Sequence, residues 1–315
     1  MSASIGEVLL DGAVQSKADE GVSADPYTGM PSSDNKLQVA LWFSYKPGTY
    51  SHKPELPQYL PCATTATYES ATRLDIRSGE NILLYPIAAD LNYESVGDKV
   101  YCVGFYPHTG WTQLTDDETN SSSHVINGSE DLMFADQIVG TYSENFEPQR
   151  YDHLLTWIKI NLNATSLGAA SVWGEVEYVK FVSPKQNVNV AFSEDLNPSV
   201  ITYIGDPKEF TLALPSDKSL AITTRTFSQA FSAPPVQGGT DDAYGYTIKV
   251  KTRNLPEKEV FVTLKKEDNV TPIESAEYAV GKLFVINLRF NDVAVVEGVC
   301  TLKQWDDQSC DIYLK

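Results

Sequence analysis

Hydrophobic and polar positions alternate most regularly between Leu154 and Leu162. Leu154, Thr156, Ile158, Ile160 and Leu162 fall on one side of an extended backbone, and Leu155, Trp157, Lys159 and Asn161 on the other. The first set is mostly aliphatic or β-branched and predicts a face turned to a core. The second fades from Leu and Trp to Lys and Asn, so it predicts a face running out to solvent. The same period recurs over Leu37–Tyr45, Trp173–Val182 and Asn187–Phe192. It recurs again around Phe210–Leu214, Tyr246–Val250, Val260–Leu264, Phe284–Phe290, Val295–Leu302 and Asp311–Leu314. Lys99–Tyr106 is apolar on both faces and predicts a central strand, while Thr64–Tyr68, Arg73–Ile76 and Asn81–Tyr85 predict weaker ones. Helical periodicity is almost absent, which places the chain in the all-β class.

Breakers divide these strands. Pro47-Gly48, the prolines between Ser51 and Pro61, Pro107-His-Thr-Gly110, Asn254-Leu-Pro256 and Asn291-Asp292 predict turns or loops. The polar run Asp116–Ser123 predicts a surface loop, and Ser228–Asp242, with its Pro-Pro and Gly-Gly pairs, an exposed one. Ser193–Pro198 is polar, contains Asn197-Pro198 and separates two independently patterned halves, so it predicts a linker between domains 1–197 and 198–315. At the start, Ile5–Val14 is strand-like and is followed by a long stretch of Gly, Ser, Asp, Pro and Lys that ends at Lys36.

A chain of 315 residues exceeds the usual size of a single core, which agrees with two domains. Its net charge of −18 repels phosphate backbones and anionic membranes and argues against a nucleic-acid partner. No apolar run approaches the length of a bilayer span, and the opening Met-Ser-Ala-Ser-Ile-Gly lacks the basic and apolar regions of a signal peptide. The expectation is therefore either a cytosolic protein or a start from which the targeting segment has been removed. Cys62, Cys102, Cys300 and Cys310 are too far apart for a metal knuckle and too few for a disulfide scaffold. Cys62 with Cys102 and Cys300 with Cys310 are conceivable pairs, and buried thiols are the plain alternative.

The search for chemistry yields no catalytic residue, no cofactor site and no metal site. His52, His108, His124 and His153 form no metal-protease spacing, and there is no nucleophile elbow, phosphate loop or dinucleotide fingerprint. His153, at the entry of the most regular strand, is expected to satisfy a turn carbonyl. Asp116-Asp117-Glu118 is expected to be a solvated charge run rather than a cation site. Asn120, Asn127, Asn163 and Asn269 each begin an Asn-x-Ser/Thr triplet, which matters only in a glycosylating pathway. Tyr106 and Trp111 flank Pro107-His-Thr-Gly and have the shape to stack on a sugar ring, against the commoner role of buried aromatics.

Several landmarks in order, Tyr101-Cys-Val-Gly-Phe-Tyr-Pro, Asn127-Gly-Ser-Glu-Asp-Leu-Met-Phe-Ala, Phe146, His153-Leu-Leu-Thr-Trp-Ile-Lys-Ile, Tyr178-Val-Lys-Phe-Val and Val188-Asn-Val, resemble the fimbrillin family, the type V pilins of Bacteroides-like bacteria. Tyr246-Thr-Ile-Lys-Val, Phe284-Val-Ile-Asn-Leu and Trp305 continue the resemblance through the second half. The family's lipidated cysteine and its signal are missing, and the four cysteines match no family pattern.

The resemblance implies two transthyretin-like β-sandwich domains in tandem, in an exported lipoprotein precursor of the outer membrane. It implies a cell-surface location on a fimbria, a lipid anchor rather than a membrane span, and other pilin subunits as partners, with a host surface ligand besides. It further implies that an Arg- or Lys-specific protease removes a first strand, leaving a groove that a strand of the next subunit fills. Here Ile5, Val8, Leu10 and Val14 mark the removable strand, and Lys17, Lys36 and Arg73 are the candidate processing residues; Arg73 and Arg77 serve only if the excised piece is larger. The plain alternative is an ordinary first strand with a long loop. The leading reading is a shaft or tip subunit of a fimbria that contributes to adhesion. The alternative is a surface carbohydrate- or host-ligand-binding sandwich that does not polymerise, and an enzyme comes last.

Overall fold

The structure is a computed structural model that describes residues 3–5, 36–44, 46–48, 50, 63–70, 73–75, 99–116, 119–141, 149–194, 197–226, 230–235, 244–266, 268–293 and 296–303. In chain order the first strands are β1 (Ala3–Ile5), β2 (Lys36–Ser44), β3 (Ala63–Ser70), β4 (Arg73–Asp75), β5 (Lys99–Tyr106), β6 (Thr112–Asp116), β7 (Thr119–Val125), β8 (Met133–Thr141), β9 (Gln149–His153) and β10 (Thr156–Ala164). A short helix α1 (Leu167–Trp173) follows. Then come β11 (Val176–Ser183), β12 (Asn187–Ala191), β13 (Val200–Ile204), β14 (Lys208–Thr211), β15 (Arg225–Thr226) and β16 (Phe231–Ala233). The last are β17 (Gly245–Thr252), β18 (Lys258–Thr263), β19 (Leu283–Phe290) and β20 (Val296–Lys303). The all-β expectation holds, with α1 as the one α-helix among the described residues; it is capped by Ser166, whose Oγ accepts from the Ala169 N–H at 2.9 Å.

The strands form four sheets that enclose two buried cores. The first sheet runs β1-β9-β8-β5-β2-β3-β4, the second β15-β10-β19-β20 with β16 also on β10, the third β14-β11-β17-β18 and the fourth β13-β12-β7-β6. The first core lies between the first and fourth sheets and includes Trp42, Val103, Phe105, Phe134, Val188, Val190 and Phe192. The second lies between the second and third and includes Ile158, Ile160, Val179, Phe181, Tyr246, Ile248, Phe284 and Ile286. Each is the interior of a β-sandwich, built by strands that turn alternate residues inward. Both strands expected to be central are so. β5 is flanked by β2 and β8 and is buried from Val100 to Tyr106, and β10 shows the expected alternation beyond Ile158, with Ile158, Ile160 and Leu162 fully buried.

The division at 197/198 does not match how the cores are shared. β10, expected in the first domain, pairs in parallel with β19 from Trp157↔Leu283 to Ala164↔Phe290, and its apolar face lies in the second core. β11 also builds the second core, β12 and β13 return to the first, and β14 goes back to the second. Among the described residues the chain therefore crosses between cores three times, near 154–156, 183–187 and 204–208. Ser193–Pro198 is correspondingly a loop between the antiparallel neighbours β12 and β13, not a link between domains. The reason is topological: a parallel pair needs a crossover, and alternation within a strand does not say which partner it will find.

Other expectations shift locally. The predicted loop Asp116–Ser123 is largely the β6–β7 hairpin, with Ser121, Ser122 and His124 buried. Within Ser228–Asp242, Phe231–Ala233 forms β16, buried and antiparallel to β10. Trp173 ends α1 rather than opening a strand, and its indole donates to the Asn291 carbonyl at 2.8 Å. Gly298 in β20 faces Val262 of β18 so closely that a Cβ there would overlap the Val262 side chain, which lets these edge strands of the second sandwich meet. The predicted strands Asn81–Tyr85 and Asp311–Leu314 lie outside the described residues.

A fragment of residues 198–315 lacks β10 and β11, and with them Ile158, Ile160, Leu162, Val176, Val179 and Phe181 of the second core. It is expected to give no cooperative unfolding transition by circular dichroism. A β-rich fragment with a sharp transition would show that the second core closes without these strands. In the full chain, Ile158→Asp buries an unpaired charge in that same core and is expected to cost several kcal/mol, on the order of 3–5, read as a lowered urea midpoint.

Candidate assembly edges and surface sites

The residues expected to form a removable first strand are only partly described. Ala3, Ser4 and Ile5 lie parallel to Gln149, Arg150 and Tyr151 of β9, which makes β1 one end of the first sheet. Val8, Leu10, Val14 and Lys17 lie outside the described residues. The other end of the same sheet is β4, and the sheet curls until β1 and β4 lie against each other. Lys36 opens β2 opposite Thr67, and Arg73 opens β4 opposite Ser70. On its inner side β9 pairs with β8, among the described residues through Met133↔His153 and Phe134↔Asp152.

His153 does something other than the expected turn contact. Its Nδ1 meets the Asp131 carboxyl group, and both side chains are fully buried. The pair sits where β9 hands the chain to the first crossing. Around it the Leu154 N–H donates to the Leu132 carbonyl at 2.8 Å, the Gly281 N–H to the Leu155 carbonyl at 2.8 Å, and the Tyr203 hydroxyl to the Leu154 carbonyl at 2.5 Å. Ser232 of β16 closes the same seam, its N–H donating to the Gly128 carbonyl at 3.0 Å and its hydroxyl to the Glu130 carbonyl at 2.6 Å. The motif that marks this stretch in sequence is therefore a joint between the sandwiches. Asp131 lies too far from His153 in sequence for spacing to have paired them.

The remaining candidates are structural. Trp111 packs on Phe105 at 4.6 Å and His124 at 5.0 Å between ring centroids, and its indole donates to the Pro107 carbonyl at 3.1 Å. Trp111 thus packs against the first core, and Tyr106 is buried on the opposite face of β5 from Val103 and Phe105. Asn127 forms a local turn, accepting from the Ser129 N–H at 2.8 Å, and the Asn269 amide oxygen accepts from the Leu302 N–H at 3.2 Å. Cys102 and Cys300 are both buried, and burial pushes the Cys300 thiol up to about 12, far from the reactive range. Cys62 and Cys310 lie outside the described residues. Among the described residues no cluster of His, Cys, Asp or Glu could hold a metal ion, and no helix is long and apolar enough to cross a membrane.

The two outward sheet faces differ in charge. On the third sheet, Glu209 of β14 meets Lys180 of β11 at 2.9 Å and Lys249 of β17 at 2.8 Å, and Lys249 also reaches Glu259 of β18 at 3.6 Å. Lys251–Glu177 at 3.2 Å and Tyr178 Oη donating to Glu257 at 2.7 Å extend this ladder. The hydrogen bonds from Lys249 and Lys180 hold the Glu209 carboxyl down to about 2. On the fourth sheet the outward rows across β7, β12 and β13 are Val125, Asn187 and Ile204, then Ser123, Asn189 and Thr202, then Ala191 and Val200, and none of these is charged; β6 adds Asp116 at the far end, opposite Thr119. Its end strand β13 was not expected as a strand. The signal was present in the β-branched run Val200-Ile-Thr-Tyr-Ile204, bounded by Pro198 and Gly205-Asp-Pro207.

No family model matches the chain, and no curated protein matches it. Among solved structures it is similar to a candidate cell adhesion protein of Bacteroides uniformis, at 12% identity over 86% of this chain and 92% of that one, with a TM-score of 0.45. A candidate adhesin of Bacteroides thetaiotaomicron gives 9% identity over 87% and 90%, with a TM-score of 0.47. The tip fimbrial protein Mfa3 of Porphyromonas gingivalis, truncated at its C-terminus, gives 9% over 97% and 100%, with a TM-score of 0.38.

Asp131→Ala removes the carboxylate that meets the buried His153 and is expected to cost about 1–3 kcal/mol, the usual loss when a buried polar group is deprived of a partner. Asp131→Leu combined with His153→Phe is expected to cost much less; equal losses in urea unfolding would show that the pair itself is not what is lost. The Glu209 carboxyl is expected to titrate near pH 2 by carbon NMR, and Lys249→Met to raise its midpoint toward the ordinary carboxylate range. Because its pKa is depressed, the ladder's contribution is present above about pH 4.5 and is lost as pH falls through about 2.

Proposed function

We propose that this chain is a subunit of a cell-surface fimbria that contributes to adhesion, and that it joins its neighbours by strand donation after proteolytic release of its first strand. The observation that carries the proposal is the position of β1. It pairs with β9 at one end of the first sheet, lies against β4 at the other, and is separated from β2 in sequence by residues 6–35. A parallel pairing of three residues holds few ladder hydrogen bonds, each worth about 1 kcal/mol net, so β1 is inexpensive to release once it is severed. Its departure uncovers the outer edge of β9 and the flank of β4 together, and an open edge with unpaired backbone groups accepts an added strand.

The three processing candidates are unequal in this light. Cutting after Lys36 severs β2 behind its first residue, and cutting after Arg73 severs β4 in the same way. A protease must draw such a bond out of its ladder, so either cut requires local unfolding. Lys17 lies between β1 and β2 in sequence, and a cut there frees β1 without dividing a described strand. The ordered landmarks that resemble fimbrillins support the same reading, as does the inward engagement of Trp111. Export through the outer membrane and a lipid anchor belong to this proposal through the resemblance alone.

Limited digestion with a Lys-specific protease is expected to release a peptide ending at Lys17 while the sandwiches resist. The trimmed protein is expected to form assemblies that grow with concentration, measured by size-exclusion chromatography with light scattering, whereas untrimmed protein keeps its starting size. Lys17→Gln is expected to block both changes. Trimmed protein that has lost the peptide and does not grow would sink strand donation for this subunit.

A further inference from the structure

The second exposed edge of interest is β13, which belongs to neither the first sheet nor the strand-donation site. Among the described residues it pairs with β12 alone, from Asn187↔Ile204 to Ala191↔Val200, so its other side is an open ladder. Natural edge strands are usually blunted by charges, prolines or bulges. β13 has none of these: Val200, Ile201, Thr202, Tyr203 and Ile204 are uncharged and β-prone, and the pairing with β12 is regular throughout. Val200 is 60% exposed, and Ile201 and Ile204 are each 39% exposed.

The edge is also held in place. The Ser199 N–H and hydroxyl donate to the two oxygens of Asp136 at 2.8 and 2.7 Å, fixing the entry. Tyr203 is anchored to the Leu154 carbonyl, and at the exit Gln186 donates its amide to the Asp206 carbonyl at 3.0 Å and its N–H to the Ile204 carbonyl at 3.1 Å. An ordered, open, apolar edge has already lost the entropy that a new strand pair would otherwise cost.

We propose that β13 pairs edge to edge with β13 of a second copy of this chain. Charge favours this occupant. A chain of net charge −18 repels its own copy over most of its surface, while β13 and the outward rows beside it, Val125, Asn187, Ser123 and Asn189, carry no charge. The sequence is also self-complementary. In a two-fold antiparallel pair with full overlap, Thr202 lies opposite Thr202 of the second copy, and Val200 lies opposite Ile204 in both directions. A pair of five-residue strands is small, so a single contact is weak. It gains strength where many copies are held side by side, as along neighbouring fibres.

The test uses unprocessed full-length protein, so its result does not depend on whether strand donation occurs. In a Cys62→Ser, Cys310→Ser background, Thr202→Cys is expected to form a disulfide-linked dimer under mild oxidation at high protein concentration. Val125→Cys, on the same face but two strands inward, is expected to remain monomeric. Thr202→Lys places like charges opposite each other and is expected to weaken self-association about tenfold or more in sedimentation equilibrium, with its thermal unfolding unchanged. Failure of Thr202→Cys to cross-link, or equal association of Thr202→Lys and the parent, would overturn the proposal. A processed Thr202→Lys protein that still grows into long assemblies would confirm that the two contacts are separate.

Discussion

The parallel register of β10 against β19 is the constraint on which the rest of the molecule depends. Eight residue pairs join segments 126 positions apart, from Trp157↔Leu283 onward, and a parallel pair can be made only by carrying the chain away and back. Everything between must be housed meanwhile. β12 and β13 are housed in the first sandwich, and the rest completes the second. The second core thus has no central pair until β19 is in place. Contacts of such separation place the protein among topologies that fold slowly and expose unpaired strands for longer.

The sandwiches present themselves differently to their surroundings. The third sheet satisfies its outward charges within itself through Glu209, Lys180, Lys249 and Glu259, and such a face gains little from meeting another protein. The fourth sheet leaves Val125, Val200 and Ile204 exposed among Ser, Thr and Asn. On a strongly acidic chain, the uncharged rows across β7, β12 and β13 and the unguarded edge of β13 are where approach is least opposed. The first sheet curls until β1 reaches β4, so that the N-terminal strand lies between the two ends of the largest sheet.

Most strands were legible in the sequence because period-2 alternation is a local property, and Ile158, Ile160 and Leu162 turn inward as their spacing requires. Their assignment to cores was not, because Ile158 meets Phe231 and Phe284 through pairings that no local pattern encodes. Ser193–Pro198 illustrates the same limit. A polar stretch with a proline looks alike whether it joins two domains or two neighbouring strands. The Ser-rich β7 was hidden for another reason: Ser121 and Ser122 are buried by the ladder they join rather than by their own hydrophobicity. Of the candidate edges, the strand-like start at Ile5 was readable. The pairing of His153 with Asp131 and the openness of β13 became visible only once distant segments were placed together.

Three covalent crossings have a mechanical consequence. Two modules joined by one linker swing freely, whereas here the segments near 154–156, 183–187 and 204–208 cross the same junction, flanked by hydrogen bonds from Ser232 and Tyr203. A bending or twisting load on the protein is divided among three backbones instead of falling on one hinge. Such a body resists bending at that junction, and any filament made from it would owe its flexibility to the joints between subunits.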